Sequence, residues 1–347
     1  MPRTIVALSP TQMEMREYEL GPLAPGMIRV QSEFAAPKHG SETSMVNGYG
    51  YDRFPIDGEL GVFMHGGPSE RPESTIVGNM LVGPVIEKAL DVTRFEIGDR
   101  ICAHAAFGEV HDFEAEWVKA VPEEMSWKSA VCLDPADFAM GAVRDGNVRV
   151  GDAVAVLGAG AIGLMTVQLA KLSGACPVIS VDPLERRRRA AVECGADMVF
   201  DPTDCDVGIE IKKVTGKRGV DVAIDFSSNV DGMQAALRCV AFGGNVVAGS
   251  WPPPYEKTLD FGTEAHWNRP NIIFARACSD PSRDHPRWDE TRIVEVCWDM
   301  LVDGRLSGES VVDPVVTFDD LMTAYPRIIS HPNECVKLGV KFDKAES

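Results

Sequence analysis

Over the first 149 residues apolar and polar positions alternate in short runs, among them Met27-Ile28-Arg29-Val30-Gln31 and Trp117-Val118-Lys119-Ala120-Val121, with Gly and Pro between them. Alternation of period two bounded by turn formers predicts half-buried strands, so this stretch reads as an irregular, strand-rich domain. Beyond residue 150 the pattern changes. Continuous apolar runs alternate with segments of helical period: 153–157 then 161–172, 178–181 then 185–194, and 220–224 then 231–240. Strand and helix in that order mean a parallel sheet with helical crossovers. Runs at 245–248 and 271–275, with a weaker one at 198–200, bring the series to about six strands, the number of a doubly wound dinucleotide-binding domain. Farther on, 283–288 is polar and interrupted by proline, 291–301 carries an amphipathic helical pattern that stops at Gly304, and 312–342 mixes short strands with a helix. The expected fold class is α/β: a β-rich domain over 1–149, a doubly wound parallel sheet over 150–285, and a segment, 286–347, that returns to the first domain.

Composition narrows the function classes. A chain of 347 residues exceeds the ~100–200 typical of one domain, which agrees with two. With 34 Lys and Arg against 52 Asp and Glu the formal charge is -18, and such a field repels phosphate backbones and anionic lipid. No nucleic-acid partner is expected. No run reaches the ~18 consecutive apolar residues of a membrane span. The nine cysteines are never closer than eleven positions and form no CxxC pair, which argues against a zinc lobe and a disulfide framework alike. Without a signal-peptide pattern, reduced thiols and a cytoplasmic location are the expectation.

The strongest chemical signal is Leu157-Gly158-Ala159-Gly160-Ala161-Ile162-Gly163, a GxGxxG run where an apolar strand ends and a helical pattern begins. Gly158 allows the tight turn, Gly160 lets the backbone approach a pyrophosphate, and Gly163 permits close packing of helix on strand. Ala161 and Ile162 open the helix, whose N–H groups and positive end favour an anion. The next apolar run, 178–181, ends in Asp182, about the ~20 residues on that the fingerprint requires. A carboxylate there accepts hydrogen bonds from the ribose hydroxyls and repels a 2′-phosphate, so NAD is favoured over NADP. Four arginines follow at 186–189; in the first turns of a helix they are expected to face solvent rather than pair with a phosphate. Phe226-Ser227-Ser228-Asn229 and Gly249-Ser250-Trp251 close two further strands and should lie at the cofactor's edge, Ser227, Gly249 and Ser250 foremost. Trp251 with Pro252, Pro253 and Pro254 reads equally as a wall of the substrate cleft or as a stiff surface turn.

Further motifs carry a resemblance: Phe95-Glu96-Ile97-Gly98-Asp99-Arg100-Ile101, Val150-Gly151-Asp152 before the fingerprint strand, Val181-Asp182 with Arg187 five residues later, and Cys194-Gly195-Ala196-Asp197. Over nearly its whole length the chain resembles the medium-chain dehydrogenase/reductase superfamily, the alcohol-dehydrogenase-like proteins. The resemblance implies a GroES-like catalytic domain followed by a Rossmann domain. It also implies hydride transfer between an alcohol and a nicotinamide, Arg187 at the cofactor, and assembly as a homodimer or homotetramer.

The zinc-ligand positions depart from that pattern. Where zinc members carry a Cys-Gly-Ser-Asp-like run this chain has His39-Gly40-Ser41-Glu42; Gly-His-Glu has become Gly78-Asn79-Met80, and Asp134-Pro135 takes the third place. Amide oxygen and thioether are poor substitutes for imidazole and carboxylate, so the usual catalytic zinc is expected to be weak or absent. If a metal is held, His39 and Asp134 are the donors for it. Without a metal a side chain must handle the hydroxyl proton, and His39, which titrates near neutrality, is the first candidate, with Ser41 and Glu42 as a relay. Lys38 is a candidate to polarise a carbonyl. For Asp134 three roles stay open: ligand, acid/base, or helix cap. The resemblance gives Glu42 a supporting role more readily than a catalytic one, and His65 is expected at the surface.

The polar set Lys38, His39, Ser41, Glu42, Asn79 and Asp134 suggests a hydroxylated small molecule as substrate. The expected activity is NAD-dependent interconversion of a secondary alcohol, polyol or sugar-like, and its ketone. The rival activities are a zinc-free NAD(P)H-dependent reductase of double bonds or quinones, and a lyase or epimerase that oxidises its substrate transiently with bound NAD. A non-catalytic nucleotide-sensing protein is a third rival.

Overall fold

The computed structural model describes residues 1–48, 54–65, 73–276 and 283–343. They form two compact units, Met1–Trp127 with Asp313–Ser347, and Lys128–Val312.

In the first unit the alternating runs become antiparallel strands. Met27–Gln31 pairs with Val110–Glu114 on one side and with Met80–Lys88 on the other. Phe34–Ala36 lies between Met80–Lys88 and Lys337–Lys341, and Arg100–His104 also pairs with Met80–Lys88. The inward set, including Ile5, Ile28, Val30, Leu81, Val85, Ile101, Phe107, Leu338 and Val340, forms one apolar core. Arg29 is covered as well, and ion pairs to Asp112 and Glu87 at 2.7 and 2.8 Å compensate its burial. The helix His39–Asn47 follows directly on Phe34–Ala36.

The second unit holds a six-stranded sheet in the order Met198–Phe200, Val178–Val181, Val154–Leu157, Val220–Asp225, Val240–Ala248, Asn271–Phe274. Every neighbouring pair is parallel. This is the strand order of a Rossmann sheet, in which the carboxyl ends of the strands line a crevice at the point where the order reverses. All residues of Val154–Leu157 and Val178–Val181 are buried, because helices cover both faces of a parallel sheet.

The units divide the chain differently from the change of hydrophobic period. Residues 128–149, expected in the first domain, and 286–312, expected in the returning tail, both belong to the second unit. The reason is the helix Leu133–Asp145, which buries Ala136, Ala139, Met140, Ala142 and Val143 and packs on Ala161–Leu172 and Glu290–Val302. Burial of that apolar face decides membership, whereas the period only reports where strands give way to helices. The part that joins the first unit is shorter: Lys337–Lys341 sets Val340 opposite Ala35. No described helix is long and apolar enough to cross a membrane.

Leu81 is fully buried at the centre of the first unit's core. Replacing it with Ala is expected to remove about 2–5 kcal/mol from that unit, seen as a lower urea midpoint at unchanged slope. A change below about 0.5 kcal/mol would contradict this packing.

Candidate functional site

The glycine-rich turn of the second unit is shaped by close backbone contacts. Gly158 has φ +90°, and a Cβ there would stand 2.8 Å from the backbone of Phe226 and of Ser227. A Cβ on Gly163 would fall 1.9 Å from the carbonyl oxygen of Gly158. Nothing lies within 4 Å of the Cβ position at Gly160, so that side of the turn has room for a ligand. Gly160 is also the extended N-cap residue of Ala161–Leu172, a helix of 12 residues. The first N–H groups of such a helix, those of Ala161, Ile162 and Gly163, have no intrahelical acceptor and point to the open side. An open approach beside unpaired donors at a positive helix end fits a pyrophosphate.

Asp182, at the end of the neighbouring strand, is buried. Its Oδ2 accepts the Ala159 N–H and its Oδ1 the Leu184 N–H, both at 2.8 Å. The carboxylate thus braces the glycine turn, and with about four acceptor sites it keeps capacity for ribose hydroxyls. Arg187 stands 3.8 Å from Asp182 Oδ2. The arginine run does not simply face solvent: Arg188 pairs with Asp201 at 2.6 Å and donates to the Asp182 carbonyl at 2.8 Å. The expectation failed because Asp201 directly follows the adjacent edge strand, whose position no local spacing reveals.

Ser227 and Gly249 sit at the ends of the next two strands. The Ser227 N–H donates to Asp225 Oδ1 at 2.9 Å, Ser228 takes φ +58°, and Asn229 caps Val230–Cys239 by accepting from Gly232. A Cβ on Gly249 would strike the Phe226 ring at 2.5 Å, so Gly249 keeps the two strand ends close. Ser250 follows at the edge, half-buried, and Trp251 is exposed. Asp225 carries a signal that the sequence reading passed over, a carboxylate closing an apolar strand. Burial pushes it up to about 6, against the pull of the Ser227 hydroxyl and N–H.

Lys38, His39, Ser41, Glu42 and Asn79 lie in the first unit and Asp134 in the second. Glu42 is buried and accepts the Lys38 N–H at 2.6 Å, the Tyr325 hydroxyl, and the Gly78 N–H, with the Lys337 ammonium nearby. Burial raises the Glu42 carboxyl despite these donors, and it raises the Tyr325 phenol. Lys337 in turn donates to the Pro37 carbonyl at 2.7 Å. Glu42 is therefore a brace, not a relay: it ties the turn at Lys38 to the turn at Gly78. Tyr325 is a partner the sequence reading missed, 283 positions away with no local pattern to mark it.

The same brace brings His39 and Asn79 into one neighbourhood, since the Asn79 N–H donates to the Ala36 carbonyl at 3.1 Å. His39 Nε2 is shielded from water, and Asn79 Nδ2 is buried with no hydrogen-bond partner among the described residues. Ser41 is half-buried, with its carbonyl taken by the Ser44 hydroxyl at 2.7 Å. Asp134 is buried in the first turn of Leu133–Asp145, where Cys132 and not Asp134 is the N-cap residue. The cap role therefore drops out. His65 is exposed, its ring edge-on to Phe54 at 4.5 Å.

The resemblance puts the ligand positions of a catalytic zinc at His39, Asn79 and Asp134. Among the described residues no three His, Cys, Asp or Glu side chains gather as a metal would require, and an amide is a poor third donor. These residues do not fit that zinc site.

Comparison with known proteins adds four findings. Residues 161–276 match the family described as zinc-binding dehydrogenase. The chain is 40% identical over 352 residues to D-guloside 3-dehydrogenase of Escherichia coli (strain K12), covering 98% of this chain and 100% of that one. It is 24% identical over 296 residues to sorbitol dehydrogenase of Bacillus subtilis (strain 168), covering 76% and 80% of the two chains. Among solved structures, 2R,3R-butanediol dehydrogenase from Bacillus subtilis superposes with a TM-score of 0.76 at 20% identity, covering 98% and 99%.

Two outcomes follow from the site's geometry. Gly163→Ala is expected to weaken NADH binding at least tenfold and to cost about 1–3 kcal/mol, because its Cβ needs the space of the Gly158 carbonyl; unchanged binding in a fluorescence titration would contradict the contact. Asp225, raised to about 6, holds its proton longer in the folded chain than in the unfolded one. Its contribution is full at low pH and is lost as pH rises from about 4 to about 7, at most about 3 kcal/mol. Urea unfolding of Asp225→Asn should therefore show an advantage over the wild type that grows across this range, and a pH-independent gap would refute it.

Proposed function

Since the chain belongs to the medium-chain dehydrogenase/reductase superfamily, we propose that it is an NAD-dependent dehydrogenase that oxidises a secondary hydroxyl of a sugar-like substrate, a glycoside or polyol, to the ketone. The observation that carries this reading is the relatedness, along nearly the whole chain, to D-guloside 3-dehydrogenase. The open glycine turn with Asp182 beside it supports the choice of cofactor.

NAD, when bound, would supply the acceptor for the hydride of the carbinol carbon. Ala161, Ile162 and Gly163 hold the pyrophosphate through their N–H groups, and Asp182 receives the ribose hydroxyls and repels a 2′-phosphate. The hydroxyl proton must leave as the hydride does, and we assign it to Nε2 of His39. That atom is out of contact with water, so a substrate hydroxyl reaching it meets no competing solvent. As the hydroxyl proton moves to His39 Nε2, the O–H pair would become the second bond of the ketone, with the C–H pair left for the bound nicotinamide to take up. Glu42 fixes the start of the His39 helix by holding the Lys38 N–H. To Asn79 Nδ2 and Ser41 we assign the binding of further hydroxyls, and to Lys38 the polarising of the carbonyl in the reverse direction.

The test is NADH formation, followed by absorbance, from NAD with a panel of methyl glycosides and polyols. Turnover is expected with NAD, and His39→Ala should lower kcat/KM by about 10²–10⁴ while leaving NADH affinity unchanged. Reduction of enones or quinones by NADPH without oxidation of any alcohol would replace this reading with a double-bond reductase. NAD retained through turnover without net NADH would replace it with an epimerase or lyase.

A further inference from the structure

Asp182 and Asp201 follow adjacent parallel strands whose last residues, Val181 and Phe200, are partners. The Asp182 N–H donates to the Phe200 carbonyl at 3.3 Å, so the two acids emerge side by side from the carboxyl edge of the sheet. Like charges so placed repel, and the first turns of Glu185–Glu193 supply the answer. Arg188 brings Nη1 within 2.6 Å of Asp201 Oδ2 and donates to the Asp182 carbonyl at 2.8 Å, while Arg187 stands 3.8 Å from Asp182 Oδ2. Asp201 cannot swing away. Its Oδ1 accepts the Thr203 N–H at 2.8 Å and the Thr203 hydroxyl at 2.6 Å, leaving Oδ2 to the arginine. Side-chain exposure is 18% for Arg188 and 15% for Asp201, so the pair is largely shielded from screening by salt.

Two acids and two arginines balance at the end of the crevice where an acidic residue meets the ribose and a nearby arginine would otherwise accept a 2′-phosphate. We propose that Asp201 is a specificity-determining residue, which by fixing Arg188 to the strand edge keeps that cation from a 2′-phosphate and makes rejection of NADP the work of two acids rather than of Asp182 alone. The inference rests on the NAD-selective reading above.

The test is binding of NADH and NADPH to the full chain by isothermal titration, for the wild type, Asp201→Asn, Arg188→Gln and the double variant. Asp201→Asn leaves one uncompensated cation and should tighten NADPH about fivefold with little change for NADH. The double variant should lose that gain, and Arg188→Gln alone, which leaves Asp201 without its cation, should weaken NADPH several-fold. An unchanged NADPH-to-NADH ratio in Asp201→Asn, a gain that survives in the double variant, or a tightening of NADPH binding in Arg188→Gln alone would each overturn the proposal. A wild type that prefers NADPH or binds neither dinucleotide refutes the NAD reading itself, whereas NADH preference with no response to Asp201→Asn refutes only the role of Asp201.

Discussion

The second unit depends on backbone meeting backbone at Gly158. One strand end, the following helix and the turn after a neighbouring strand come together there with no side chain between them: the Phe226 and Ser227 backbone lies 2.8 Å from where a Cβ would be, and the Gly158 carbonyl occupies the Cβ position of Gly163. Any side chain at either glycine separates these three segments. Their closeness leaves the Gly160 side open, and it brings the carboxyl ends of four strands, with Asp182, Asp225 and Gly249, around one crevice.

Acidic groups at that edge are handled in different ways. Asp182 receives two backbone N–H groups and has arginine beside it, and Asp201 receives the Thr203 donors and Arg188. Asp225 has the Ser227 N–H and hydroxyl against deep burial, and its carboxyl rises to about 6. A buried carboxylate is tolerated in proportion to the donors aimed at it. In the first unit Glu42 follows the same rule, gathering donors from Lys38, Gly78 and Tyr325, and so becomes a strut beneath the turn that carries His39.

The Rossmann unit was largely legible in the sequence because its signals are local. An apolar strand, a glycine turn and an amphipathic helix lie within a few residues of each other, and the order of such units dictates a parallel sheet. What the sequence could not display is pairing across distance. Leu133–Asp145 looks like part of the β-rich stretch until its apolar face is seen against Ala161–Leu172. Arg188 looks like a solvated helix residue until the neighbouring strand places Asp201 beside it, and Tyr325 offers no local reason to be Glu42's partner. At His39, Asn79 and Asp134 the residue types matter as much as the spacing, because an amide is a poor metal donor.

On the proposed function a hydride passes directly from a substrate carbon to the nicotinamide. A methyl glycoside or polyol that supports NAD reduction, labelled with deuterium at its carbinol carbons, tests it most directly by mass spectrometry and NMR of the reduced cofactor. The expected result is deuterium on the nicotinamide ring and a ketone at the labelled carbon of the sugar. Reduced cofactor free of deuterium, with the label lost to water, would contradict it.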